Sequence, residues 1–294
     1  MEITNLRAFM AIAESGSFSA AAERLYLSQP AISKRIALLE SELGVRLFDR
    51  IGRGVQLTES GLTLHKRARH LLQEIDDIGR DISSLTDTVS GKLVMATSHH
   101  IALHRLPVYL KKYMDSYPQV TLDLRFTDSE SGCRNVENGE LEFAVVTLPR
   151  HITAPLEAIP LWEDELAIVV APGHPLNQAS KISKSELLIH NAVMPERGTF
   201  TWEILHNEFE IEESNIKVGL TSNYLETIKM LVSVGLGWSI LPKSMLENSE
   251  LISLCVDDIH LSRTLGIVYH RNKTLSNAAR HFIELLTPVL TEHQ

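Results

Sequence analysis

Eight apolar residues, Leu64, Ala68, Leu71, Ile75, Ile78, Ile82, Leu85 and Val89, alternate spacings of four and three along the chain. A period of about 3.5 residues held that long demands a long helix with one apolar seam. Such a helix divides the sequence into an N-terminal third and a longer C-terminal part. Its seam is filled either by a partner helix in a coiled coil or by the chain's own globule. The regularity of the repeat favours the coiled coil, and with it a homodimer.

Before the seam, the residues from Asn5 to Ala13 predict a helix with Leu6, Phe9, Met10 and Ala13 on one face. Gly16 ends it, and Ser17 or Ser19 is placed to cap a second helix through Ala20, Ala21, Ala22, Glu23, Arg24 and Leu25. After a turn at Tyr26 and Leu27, Ser28 caps a third helix, with Pro30 in the first turn where proline is tolerated. That helix buries Ala31, Ile32, Ile36 and Leu39 and turns Gln29, Ser33, Lys34 and Arg35 outward. The stretch LFDRIGRGVQLTESG then predicts two short strands about a Gly52-Arg53-Gly54 turn. Three helices and a wing are an all-α winged helix-turn-helix.

After Gly91 the pattern changes. LVMAT, VTLDLRF, EFAVVTL and ELAIVVA are apolar runs of strand length, separated by helical stretches such as HRLPVYLKKYMDSYP and YLETIKMLVSVG. Buried strands alternating with helices predict an α/β unit with a parallel sheet.

The formal charge of −9 argues against phosphate contact by a helix-turn-helix until it is divided. Within residues 20–69, Lys and Arg outnumber Asp and Glu nine to five, whereas residues 91–294 hold 17 basic and 25 acidic side chains. Screening confines surface charge to roughly 10 Å, so the local excess decides phosphate contact. No run of about 18 apolar residues predicts a membrane span, and the first residues lack a basic flank leading into an apolar stretch. A cytoplasmic protein without membrane contact is expected. Two cysteines, Cys133 and Cys255, make no disulfide framework, and their contexts predict buried, inert thiols.

The block FMAIAESGSFSAAAERLYLSQPAISKRIALLESELGVRLFDRIGRGVQLTESG resembles the signature of LysR-type transcriptional regulators. GHPL at Gly173–Leu176 and VSVGLGWSILP at Val232–Pro242 continue the resemblance, which covers nearly the whole chain. It implies a winged helix-turn-helix over residues 1–58, a dimerising linker helix over 59–90 and an effector-binding domain over 91–294. The last resembles periplasmic binding proteins, with subdomain I at 91–162 and 265–294 and subdomain II at 163–264. The partners implied are double-stranded promoter DNA, a small-molecule effector and further copies of the chain, as a homodimer usually assembled into a homotetramer. RNA polymerase is a further candidate partner.

In a helix-turn-helix the second helix of the motif enters the major groove. Gln29 carries an amide suited to adenine, Pro30 an apolar face for a thymine methyl, and Ser33 a hydroxyl for base or phosphate. Lys34 and Arg35 suit phosphates, and Arg50 and Arg53 on the wing suit the flanking backbone or minor groove. In the effector domain the resemblance puts the ligand where strand ends meet helix starts, which favours an anion. The candidates are Thr97, Ser98, His99 and His100; Thr127, Asp128 and Ser129; Thr199, Phe200 and Thr201 after Gly198; and Ser222 and Asn223. The hydroxyl-rich turn with its histidine and the Thr-Phe-Thr loop are similar to the cysteine-regulon branch, whose ligands are small sulfur-linked anions.

His100 and His104 stand one helical turn apart, a spacing that suits zinc, but no third ligand of fixed position is visible in the sequence. Hydrogen bonding to an effector and ordinary packing are the competing roles, and no metal or cofactor is expected. Peroxide-sensing relatives keep their cysteine pair close in sequence, unlike Cys133 and Cys255. No phosphate loop, nucleophile elbow or metal-binding helix motif points to an enzyme. Gly235 and Gly237 flank a turn that reads as structural.

Overall fold

A computed structural model describes residues 1–51, 54–83, 89–178, 181–209, 216–256 and 259–287. The chain forms two units, Met1–Leu85 and Thr86–Gln294.

The first unit comprises α1 (Ile3–Ser15), α2 (Phe18–Arg24), α3 (Gln29–Leu43), β1 (Phe48–Ile51), β2 (Gly54–Leu57) and α4 (Glu59–Ser83). Gly16, in the left-handed region at φ 64°, closes α1, and Ser17 rather than Ser19 caps α2 through the Ala20 N–H. Ser28 caps α3 through the Ala31 N–H at 3.4 Å. Leu6, Phe9, Ile12, Ala21, Ile32, Ile36 and Leu39 meet in one core, with Leu47 and Phe48 entering from the wing. Ala31 is only half-buried. The wing is an antiparallel hairpin in which Arg50 faces Val55; Gly52 and Arg53 lie outside the described residues. Glu40 ties it to α3 by accepting the Leu47 N–H at 2.7 Å.

α4 runs 25 residues, about 37 Å at 1.5 Å per residue. Its seam is divided between two uses. Leu64, Ala68 and Ile75 pack into the unit's own core, joined there by Leu72, which the heptad spacing skips. Leu71 and Ile78 from the same seam are 44% and 51% exposed. Ile82 is described only as backbone, and Leu85 lies outside the described residues. The apolar repeat therefore serves the intramolecular core first and leaves a narrower exposed edge.

The second unit runs in the order β3 (Gly91–Thr97), α5 (His99–His104), α6 (Pro107–Ser116), β4 (Val120–Phe126), α7 (Ser129–Glu137), β5 (Phe143–Thr147), β6 (Leu156–Val170), α8 (Lys184–Ile189) and β7 (Ala192–Met194). It continues with α9 (Phe200–Phe209), β8 (Val218–Thr221), α10 (Leu225–Ser233), β9 (Ser239–Pro242), β10 (Ile252–Leu254), β11 (Leu261–His270) and α11 (Asn277–Leu286).

The principal sheet has the order β10-β6-β11-β5-β3-β4, with β9 also on β6. It is mixed, not parallel throughout as the sequence predicts. β3 pairs in parallel with β4 and β5, but β11 is antiparallel to β5 and β6, and β6 to β9 and β10. Chains returning along the sheet without a crossover helix make the difference. β6 and β11 are long enough to serve two cores. At one end Leu93, Met95, Tyr113, Phe143, Ile267 and Phe282 pack together; at the other Ile168, Trp202, Phe209, Trp238 and Ile240 do. Between them the β6–β11 register shifts at Leu265 and Gly266, opposite Trp162 and Pro160. The small parallel pair β7–β8 completes the second half. The Gly235–Gly237 turn delivers the Trp238 N–H to the Asn191 carbonyl, and a side chain at Gly237 would collide with that same carbonyl.

One expectation fails plainly. Cys133 is buried, but Cys255 is exposed, because it comes directly after an edge strand of only three residues.

Candidate functional site

The DNA-facing candidates sit at one end of α3. Gln29 and Pro30 are exposed in its first turn, Lys34 is exposed one turn on, and Ser33 and Arg35 are half-buried. They lie away from Ile32, Ile36 and Leu39, which fix the helix to the core. Tyr26, which the sequence places only in a turn, is 96% exposed. It sits at φ 54°, and the Leu27 N–H beyond it returns to the Ala22 carbonyl at 2.9 Å. Arg50 lies on the wing strand, and Arg53 is outside the described residues.

In the second unit a cavity of about 530 Å³ lies where parallel strands end. β3 and β4 run side by side, with Thr97 level with Phe126, so Ser98 and Thr127–Ser129 emerge together from one half. β7 and β8 end likewise in the other half, delivering Pro195, Glu196, Ser222 and Asn223. Ligands bind at such carboxyl ends because helix starts bring unpaired N–H groups there.

Of the predicted effector residues, Ser98, His99, His100, Asp128, Ser129, Thr199, Thr201 and Asn223 line this cavity, as do Thr127 and Ser222. Thr97 and Phe200 do not. Thr97 is buried, with its hydroxyl on the Ser98 carbonyl. Phe200 packs against the core beneath α7.

Several lining groups already serve the fold. Asp128 caps α7, taking the Ser131 N–H at 2.6 Å and the Ser131 hydroxyl at 2.9 Å. Burial would raise its pKa, but these bonds outweigh burial and lower it. Ser129 accepts the Thr147 N–H, Thr199 caps α9 through the Trp202 N–H, and Asn223 pairs with the Glu196 backbone and carboxylate. Ser98 makes no capping bond with its side chain, and neither does Tyr224, the residue before α10.

The cavity's cation comes from a residue with no local signal. Arg263, 7% exposed, lines the wall, gives its Nε to Asp164 at 2.8 Å and its Nη1 to Thr201 at 3.1 Å. Further donors of its fork remain for a ligand. Glu130, also missed, accepts the Phe200 N–H from across the cavity at 2.5 Å, and burial raises its pKa. His99 stacks on Phe126 with ring centres 5.1 Å apart and meets Tyr224 edge-on at 4.7 Å. His100 is pushed down to about 4, first by burial and then by the Arg263 charge, and is neutral at physiological pH.

A winged helix-turn-helix joined to an α/β unit with a polar interior cavity defines a DNA-binding regulator that responds to a small molecule. Residues 3–62 match the family "Bacterial regulatory helix-turn-helix protein, lysR family", and residues 86–291 match "LysR substrate binding domain". The chain belongs to the LysR family of transcriptional regulators, and it is not an enzyme. A probable RuBisCO transcriptional regulator of Trichormus variabilis is 30% identical over 295 residues, covering 97% of this chain and 88% of that one. Full-length CbnR bound to its target DNA has the same fold at 22% identity and TM-score 0.68, covering 98% of this chain and 100% of that one. The effector domain of QuiR in complex with shikimate matches at 21% identity and TM-score 0.61, over 70% of this chain and 99% of that one. Among the described residues no helix is long and apolar enough to cross a membrane.

Proposed function

We propose that this regulator binds a small anionic metabolite in the cavity between the two halves of the second unit and changes its grip on promoter DNA in response. The observation that carries the reading is the buried Arg263, set in a wall rich in hydroxyls and helix starts whose carboxylates, Asp128, Glu130 and Glu196, each already accept a hydrogen bond within the fold. A carboxylate or similar anion there accepts from the guanidinium, from the free Ser98 hydroxyl and from the uncapped first turn of α10. QuiR, a protein of like fold, takes shikimate, itself a small anion.

Ligand contacts on both walls favour the closed arrangement of the cavity, so the effector acts by shifting a population and not by chemistry. Gln29, Pro30 and Ser33 read bases, while Lys34, Arg35, Arg50 and Arg53 hold phosphates. Two chains paired through α4, able to assemble further into a tetramer, present paired reading heads to a two-fold operator.

The test is a thermal-shift panel of small carboxylates, sulfur-containing anions, neutral metabolites and cations on the full chain, then anisotropy on promoter DNA. A ligand at 100 times its dissociation constant adds about 2.7 kcal/mol to the effector unit. A hit that fades in Ser98→Ala and alters DNA affinity supports the reading; hits confined to cations or neutral compounds overturn it.

A further inference from the structure

We propose that His100, His104 and Glu226 form a binding site for one divalent transition-metal ion, of zinc-like preference, beside the effector cavity. His100 and His104, four apart on α5, bring their rings within 4.8 Å of each other. Glu226, in the first turn of α10, reaches them from the other half of the unit. Its Oε1 lies 3.2 Å from His104 Nε2 and 4.0 Å from His100 Nδ1, and ligand atoms from all three lie within 4.8 Å of one another. Zinc bonds of about 2.0–2.1 Å at tetrahedral angles separate ligand atoms by about 3.3 Å. The His104–Glu226 edge already has that length, and a turn of the His100 ring must close the other two, to Glu226 and to His104.

An independent observation points the same way. His100 is 4% exposed, and neither of its ring nitrogens has a hydrogen-bond partner among the described residues. Buried polar atoms are rarely left idle, and a metal ion supplies the missing partner. Two imidazoles and a carboxylate suit zinc, nickel or cobalt, not calcium or magnesium, which take oxygen throughout. Around the group the Arg263 cation and the Asp164 anion act on His100 in opposite directions, and Glu226 adds negative charge. A half-exposed His104–Glu226 contact stabilises little by itself, and it leaves the buried imidazole unexplained.

Because the ligands come from both halves, a bound ion ties α5 to α10 and biases the cavity toward closure. The site thus offers metal-dependent control alongside the effector.

The test uses the tag-free full chain, stripped with a chelator and titrated with cobalt(II) chloride, with visible absorption as readout. One saturable cobalt per chain is expected, displaced by one equivalent of zinc chloride, with zinc raising the thermal midpoint. His104→Ala and Glu226→Gln alter half-exposed side chains, so the apo fold is retained, as circular dichroism checks. Changes beyond a metal's direct ligands weaken binding about 10–100-fold, so losing a ligand should weaken it about 100-fold or more. No saturable cobalt binding, or equal affinity in both variants and the parent chain, overturns the site. These readouts need neither effector nor DNA, so they stand or fall separately from the anion reading.

Discussion

Arg263 stands directly opposite Asp164 across the β11–β6 ladder, and both side chains are buried, at 6% and 2% exposed. The pair sits where the two halves of the second unit share their strands. Arg105 approaches the second Asp164 oxygen at 3.5 Å, so the carboxylate anchors cations from two elements. Removing one partner leaves a buried charge without compensation, which is worse than removing both. Asp164→Leu should destabilise the unit by about 3–5 kcal/mol, and adding Arg263→Leu should restore a substantial part. Urea denaturation of the single and double variants measures this directly. Simple additivity would mean that the two side chains are energetically independent.

The reading head offers a second experiment. Tyr26 occupies a left-handed conformation that costs a residue with a Cβ about 1–2 kcal/mol, yet its ring contributes almost no burial in return. Tyr26→Gly should therefore raise the stability of the first unit by about 1 kcal/mol. Its exposed place two residues before the Ser28 cap suits contact with the DNA backbone, so the same change should weaken DNA binding. Gln29→Ala should weaken binding to the specific site while leaving random DNA almost unaffected, by about 1–3 kcal/mol of lost discrimination. Anisotropy with both duplexes at fixed salt separates the outcomes; equal losses on the two would remove Gln29 from base reading.

Assembly through α4 is tested at its exposed edge. Ile78 is half-exposed, so Ile78→Asp should leave the first unit folded and yield monomers by light scattering. Leu72 is 9% exposed in the unit's own core, and Leu72→Asp should unfold it instead. Dimers that persist in Ile78→Asp would place the subunit contact elsewhere.

The two thiols should behave oppositely. Burial raises Cys133 to about 12, with the Glu130 charge adding to it, whereas Cys255 is exposed. Only the thiolate attacks. Iodoacetamide at mildly alkaline pH should label Cys255 in the native protein and reach Cys133 only after denaturation, as peptide mass mapping will show. Rapid native labelling of Cys133 would reopen thiol-based control.

How much of this was legible in the sequence depends on whether the signal was local. Ser17, Ser28 and Thr199 announce helix starts within three or four residues, so the three-helix unit and the α9 turn could be read directly. Asp128 and Ser129 were named because the resemblance puts the ligand at strand ends, and their side chains turn out to serve the fold as well. Arg263 and Glu130 gave no such signal, because their partners lie 99 and 70 positions away and meet them only through strand pairing and cavity closure. Glu226, 122 positions from His104, completes the histidine pair in the same way. The heptad stripe misled in part because one face of a helix can satisfy its own globule and a partner at the same period. Phe200 was misplaced because the sequence does not say which way a residue at a helix start turns.

Glu130 links pH to the stability of the second unit. Burial raises its pKa above the usual 4.5 of a glutamate, while the Phe200 N–H it accepts works against that shift. A carboxyl whose folded pKa exceeds its unfolded value stabilises the fold in its protonated form. That contribution is complete below the unfolded value and is lost as pH rises through the folded one. At neutral pH the ionised group is therefore a burden that a neutral acceptor would relieve. Glu130→Gln keeps an oxygen for the Phe200 N–H and should raise the thermal midpoint near pH 7. The advantage should shrink toward pH 4, where the native carboxyl has taken up its proton. Thermal unfolding of parent and variant across that range decides it. A gap independent of pH, or a variant less stable at neutral pH, would show that Glu130 is held as a satisfied carboxylate and that the bond to Phe200 depends on its charge.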